Sequence, residues 1–166
     1  MSPPQAILAL VALERLGELL YGRHNARRLL AAGAVEHGAG HYPLFILLHA
    51  SWLLAMLLTV RPHTPILWPL IGVYALLMLG RAWVIASLGR FWTTRIITLP
   101  DAPLVRRGPY RVLRHPNYLI VAGEIAALPL AFGAWRIALA FSLLNLALVW
   151  HRIRIEDRAL APRRSR

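Results

Sequence analysis

Two short runs in the second half of the chain concentrate the side chains able to do chemistry. Arg107-Gly108-Pro109-Tyr110 is followed by Arg114-His115-Pro116-Asn117-Tyr118, which enters an apolar segment carrying Glu124. Trp150-His151-Arg152-Ile153-Arg154-Ile155-Glu156-Asp157 closes the next apolar segment. Gly108 and Pro109 are turn formers, and Pro116 suits the first turn of a helix, where its missing donor would go unpaired anyway. His115 then opens that helix, with Tyr118 a turn or less further along the same side. Arg152 and Glu156, four apart, share a face of theirs. Spacing alone equally allows a plainer reading: a helix cap with an interfacial Tyr and phosphate-seeking Arg, and a surface ion pair worth a few tenths of a kcal/mol.

A fold-back decides what these groups can do together. If the two apolar segments pack antiparallel, the start of one (His115 to Tyr118) meets the end of the other (Arg152 to Asp157) at one membrane face. An imidazole, a phenol, guanidinium groups and carboxylates then share one place. Such a set suits a zwitterionic ligand, since carboxylates hold ribose hydroxyls and an ammonium group while Arg holds a carboxylate through two parallel hydrogen bonds. S-adenosylmethionine has all three. Glu124 lies about two turns into its apolar run, where an unpaired carboxylate is costly and marks a site or pathway with a partner. No cysteine is present, which excludes disulfides, thiolate zinc sites and a thiol nucleophile. The histidines are scattered without HExxH or paired-carboxylate spacing, so no metal centre is expected. The common soluble nucleotide and hydrolase motifs, GxGxxG, GxxxxGK(S/T) and GxSxG, do not occur.

The elements that must position these residues are membrane helices. Of the 166 residues 58% are hydrophobic and 16% charged, too apolar for a water-soluble domain. Five apolar segments are expected, at about 4–21, 42–60, 66–88, 118–132 and 135–151, long and rich in Leu and Ala, hence helical. The last two are short and separated only by Gly133 and Ala134, which reads as a tight hairpin, with one bent helix as the alternative. The expectation is therefore an all-α, polytopic transmembrane protein forming a single membrane domain. It would comprise N-terminal helices over 1–88, a polar Arg-rich connector over 89–117, and a C-terminal hairpin and tail over 118–166. A connector of that length between short spans points to function.

Charge orients the chain. The net charge of +12 comes from nineteen Arg and no Lys against seven acids. Fifteen of these Arg follow the first, third and fifth spans, against Arg61 and Arg136 on the opposite side, while Arg15 and Arg81 lie within spans. By the positive-inside bias the C-terminus is cytoplasmic, the N-terminus is outside, and the protein is multi-pass in the cytoplasmic membrane. Arginines clustered between apolar runs suit membrane lipids, and nucleic acid is not expected as a partner. The N-terminus has no basic stretch ahead of its apolar run and carries Glu14, Arg15 and Glu18 within it, so it reads as a retained first helix.

These residues resemble the isoprenylcysteine carboxyl methyltransferase family of integral membrane methyltransferases. LVRRGPYRVLRHPNYLIVAGE is similar to the family's G-x-Y, four-residue gap and RHPxY pattern, and RIRIEDRAL to its terminal R-x-x-x-E-E/D stretch. With the hairpin between them they cover about the last 75 residues. The acid-containing first helix, an Asn after a basic turn, and GAVEHGAGHYPLFILLHASW resemble the short bacterial branch, some of whose members methylate the hydroxyl of long-chain alkylpyrone polyketides. The resemblance implies a donor site for S-adenosylmethionine at the connector and hairpin, open to cytosol, with a lipophilic acceptor arriving from the bilayer. It carries donor binding onto His115, Tyr118, Arg152 and Glu156, and more weakly onto Tyr110, Arg114 and Asp157. Where prenylcysteine enzymes have RHPxYxG, Tyr118 here is followed by Leu119 and Ile120, with Gly123 and Glu124 later, which disfavours a prenylcysteine substrate.

Methyl transfer from a sulfonium is an in-line displacement, so positioning and exclusion of water supply most of the rate and no protein nucleophile is needed. A hydroxyl acceptor would use a general base, for which His41, Glu14 and Glu36 are candidates. Arg81 could steady an acceptor carboxylate or enolate, or snorkel to the surface. The rival from another class is a nonenzymatic membrane protein whose Arg clusters bind anionic headgroups or assist assembly. A transporter is unattractive without an internal repeat.

Overall fold

The computed structural model describes residues 2–100 and 102–164, with side chains up to residue 161 in the last helix. Five helices dominate: α1 (Pro3–Ala31), α2 (Tyr42–Thr59), α3 (Trp68–Leu88), α4 (Pro116–Ala131) and α5 (Trp135–Arg164). All but α5 carry proline at the first or second helical position, where a missing N–H is harmless. The all-α expectation holds, with one addition. A three-residue strand β1 (Val35–His37) pairs antiparallel with β2 (Ile96–Thr98), clamping the α1–α2 turn to the connector.

Two of the helix ends are built alike. At the end of α4, Gly133 (φ 70°) donates to Leu130 O at 3.0 Å and Ala134 to Pro129 O at 2.9 Å. That is a glycine-terminated cap which reverses the chain within three residues. Gly33 (φ 87°) closes α1 by the same pair of bonds to Leu30 and Leu29. The hairpin of α4 and α5 is thus real, and a single bent helix is excluded. Leu67 N–H donates to Ala131 O at 2.8 Å, fastening the start of α3 beside the end of α4.

The core runs down the middle of the bundle through Leu8, Val11, Trp52, Met56, Tyr74, Ile125 and Leu128. Around it the outer surface is apolar: Leu58, Leu76, Leu79, Leu119 and Leu143 are among the exposed large side chains. A soluble monomer does not present such a surface, whereas lipid covers it at no cost. Helices α2, α3 and α5 are long and apolar enough to cross a membrane, and α4 is a shorter apolar helix. The protein is a helical membrane protein. Helix α1 departs from the sequence expectation, continuing past Tyr21 to Ala31. The polar stretch Gly22–Arg28 is therefore helix, not loop, and α5 likewise carries Arg152 to Asp157 as helical turns.

The connector is strapped to the bundle from several sides. Asn25, buried on α1, donates to Gly89 O at 3.2 Å and Trp92 O at 2.9 Å. Tyr21 stacks on Trp92 with ring centroids 5.8 Å apart, and Gly22 lets Thr94 approach so closely that an added Cβ would lie 3.0 Å from its methyl. Further on, Arg107 Nε donates to Ser87 O at 2.7 Å. Gly108 (φ 56°) packs on Ser87, where a Cβ would fall 2.1 Å from the hydroxyl oxygen. Only glycine fits there, for both conformation and space.

Candidate active site

The hairpin brings the two chemical runs together. At the N-terminus of α4 and the last turns of α5, Tyr118 donates a short hydrogen bond from its hydroxyl to Glu156. Arg152 Nε donates to the Tyr118 oxygen at 2.9 Å, and Arg152 Nη2 donates to the Thr94 carbonyl of the connector at 2.9 Å. His115 stacks on Tyr118 at 5.5 Å, with Nε2 3.2 Å from Asp157 and Nδ1 3.6 Å from Glu156. These groups form one chain of charge-assisted contacts across three elements, which fixes each side chain in a single orientation.

Beside this chain lies a cavity of about 470 Å³, within the range of small-molecule sites. Tyr110, Arg114, His115, Tyr118, Arg152 and Glu156 line it, and the connector closes the opposite wall with Phe91 and Trp92. Asn117 also faces it, and its buried Oδ1 has no hydrogen-bond partner among the described residues. A buried acceptor left unpaired beside a cavity is what a ligand donor would satisfy. Thr94, Asn117 and the aromatic pair were not singled out from the sequence. Asn117 sits inside the RHPNY run itself, whereas Thr94 carries its role on a backbone carbonyl, which no side-chain pattern reveals.

Glu156, the largest influence, and Asp157 raise the His115 pKa above its ordinary 6.5, outweighing partial burial. A raised value means that the ion pairs stabilise the fold fully below pH 6.5 and are lost as pH rises through the folded value. We therefore expect thermal unfolding in detergent to separate wild type from His115→Gln most widely below pH 6.5, with the gap closing as pH rises through the raised folded value. A gap independent of pH would contradict the ion pairing. Tyr110 is shifted upward as well, by burial and then by the Glu156 charge, so its phenol stays protonated and available as a donor.

Five sequence-selected residues fall elsewhere. Glu124 does not join the donor-side group; it is 1% exposed and turns toward α1 and α3. Arg15 Nη2 reaches its Oε2 at 2.7 Å and Arg81 Nη1 at 3.3 Å. Arg81 also holds Glu18 with both Nε and Nη2, the latter at 2.7 Å. Glu14 stands at the edge, 3.6 Å from Arg15 Nε. This buried knot of three carboxylates and two guanidiniums lies two to three turns below the connector along α4 and about two along α3, roughly 10–12 Å by helical rise. Arg81 is buried and does not snorkel. His41 packs edge-on to His151 at 5.6 Å, and its two buried ring nitrogens have no hydrogen-bond partner among the described residues. Glu36 is paired with Arg95 at 3.1 Å.

Comparison with known proteins decides the lineage. The model of the isoprenylcysteine carboxyl methyltransferase (ICMT) family matches residues 70–162, from α3 through the connector to the end of the donor-side group. The chain belongs to the ICMT family. Family members are membrane methyltransferases that generally use S-adenosylmethionine. The chain is 35% identical over 159 residues to the uncharacterized protein YpbQ of Bacillus subtilis, covering 93% of this chain and 94% of that one. It is 27% identical over 146 residues to an uncharacterized protein of Haemophilus influenzae, covering 84% and 83%. No solved structure matches. The ICMT match ends within α5 and includes every donor-side residue named above, but not α1 or α2.

Proposed function

We propose that this ICMT-family protein is an S-adenosylmethionine-dependent O-methyltransferase that modifies the carboxyl or hydroxyl group of a lipophilic acceptor, such as a long-chain polyketide or prenylated compound, at the cytoplasmic membrane face. The observation that carries the reading is the bonded set His115, Tyr118, Arg152 and Glu156 on the wall of one cavity at the mouth of the hairpin. Its chemistry fits the donor. Glu156 suits ribose hydroxyls or an ammonium group, Arg114 and Arg152 suit a carboxylate, Tyr110 offers a hydrogen bond, and Phe91 and Trp92 give a flat ring an apolar wall. When bound, the donor supplies a methyl group on a positively charged sulfur. The chain's own part is to hold it, orient it and exclude water.

The acceptor reaches the cavity from the apolar side, where the outer helix faces are lipid-coated. Arginine placement supports a cytoplasmic site: the connector, the end of α1 and the end of α5 share the cavity's side of the bundle, opposite Arg61 and Arg136. On this reading all five helices cross, the N-terminus is outside, and membrane lipids surround the bundle. The test uses the purified full chain in detergent with methyl-labelled S-adenosylmethionine and a total lipid extract. Label is expected in an apolar lipid that gains the mass of one methylene. Absence of both transfer and donor binding would overturn the proposal in favour of a nonenzymatic lipid-binding protein.

A further inference from the structure

His49 is an imidazole that no role described so far uses. It lies on α2 one turn beyond Phe45, whose ring sits under the Arg152 guanidinium at 5.1 Å. Arg152 lines the donor-side cavity, so His49 is about 5–6 Å deeper in the bundle, between that cavity and the interior group of Arg15, Glu18 and Arg81. Its Nδ1 is 2.8 Å from the Phe45 carbonyl oxygen. A carbonyl can only accept, so Nδ1 carries the ring proton and Nε2 is left with a bare lone pair. Among the described residues Nε2 has no hydrogen-bond partner, and the side chain is half-buried rather than sealed. The charged groups that face it are Arg15 and Glu18 of α1 and Arg81 of α3, with Arg152 of α5 a turn above.

Those charges restrict what can come alongside. Both interior guanidiniums are already held, Arg81 by Glu18 and Glu124, Arg15 by Glu18 and Glu124 with Glu14 near its Nε. An acceptor carboxylate lodged beside this knot would be a fourth carboxylate, after Glu14, Glu18 and Glu124, around two guanidiniums that already hold them, a costly arrangement away from water. A neutral hydroxyl meets no such penalty, and it needs a base. We infer that Nε2 of His49 accepts the proton of a hydroxyl-bearing apolar acceptor, an inference that rests on the donor-site reading above and narrows its acceptor class. In the step, the acceptor O–H proton passes to Nε2 as its oxygen bonds the methyl carbon. The methyl–sulfur bond breaks with its electron pair going to sulfur, and the imidazolium later releases its proton to water.

The test pairs a series of long-chain alkylphenols, unsubstituted to dinitro-substituted, with wild type and His49→Gln. Calorimetric titration with S-adenosylmethionine should be unchanged by the substitution. Methylation of the unsubstituted phenol should fall about 10²–10⁴-fold, the usual worth of a general base. The dinitro compound, already ionised at neutral pH, should be methylated within a few-fold of wild type. Nitrogen NMR of labelled histidine in the donor-free protein should show His49 protonated at Nδ1. An equal loss on all phenols, no loss on any, donor binding without methylation of any phenol by wild type, or a proton on Nε2 would overturn the role of His49. Failure of wild type to bind the donor would instead overturn the donor-site reading beneath it.

Discussion

Glu156→Ala and His115→Ala should each weaken S-adenosylmethionine binding by about a hundredfold or more in a calorimetric titration of the detergent-solubilised chain. Each loss removes charged hydrogen-bonding groups, worth about 1.5–3 kcal/mol apiece when the partner is left unsatisfied, and about 1.4 kcal/mol is tenfold in affinity. Glu156 accepts from Tyr118 and pairs with His115, so its removal also frees Tyr118 and, through it, Arg152. His115→Ala withdraws the ring that stacks on Tyr118. Asp157→Asn serves as the contrast: its side chain is 39% exposed and it does not line the cavity, so its effect should stay within a few-fold. Equal effects from all three variants, or near-normal binding by Glu156→Ala, would show that the cavity is not the donor site.

The second large effect concerns stability. Glu124→Ala should destabilise the folded protein by about 3–5 kcal/mol, the range for removing one member of a buried ion pair. Glu124 Oε2 is the shared anchor of Arg15 and Arg81, which come from different helices. Without it two guanidiniums are left facing each other in the bundle interior with Glu18 between them. Removing opposite charges together should cost much less. The double variant Glu18→Leu/Arg81→Leu is expected to recover most of the loss seen in either single variant, because no unpaired charge stays behind. Thermal unfolding in a single detergent measures both. Additive losses in the double variant would mean that the ion pair contributes nothing beyond its separate side chains.

Much of the fold was written in local chemistry. Gly133 between two apolar runs demands a left-handed turn, and Pro116 marks a helix start, so the hairpin and the meeting of His115 with Asp157 follow from spacing. The end of α1 was hidden because Arg23, Asn25, Arg27 and Arg28 look like loop residues. They belong to a helix that outruns the apolar layer and uses its polar turns to hold the connector. The β1–β2 pairing was hidden for a different reason: three-residue strands far apart in sequence leave no periodicity to read.

Glu124 shows where motif reading misleads. Six residues beyond Tyr118, it lies about 120° away around α4, so a helix that carries both must present them to different neighbours. The same geometry explains Arg81, whose partners on α1 and α4 could not be inferred from an isolated charge in an apolar run. Glu18 and Arg15 were visible as charges within the first helix, and only the packing of α1 against the bundle reveals them as partners.

The brevity of α4 has a further consequence. Its 16 residues span only about 24 Å, some 6 Å less than the hydrocarbon thickness of an ordinary bilayer. The capped turn at Gly133 allows no slack, and Ala131 and Phe132 are buried within protein. If all five helices cross, the leaflet away from the cavity must dip toward α4. The acyl chains there would be shortened or splayed, a local dimple that makes this flank of the bundle sensitive to the chain length of the surrounding lipid.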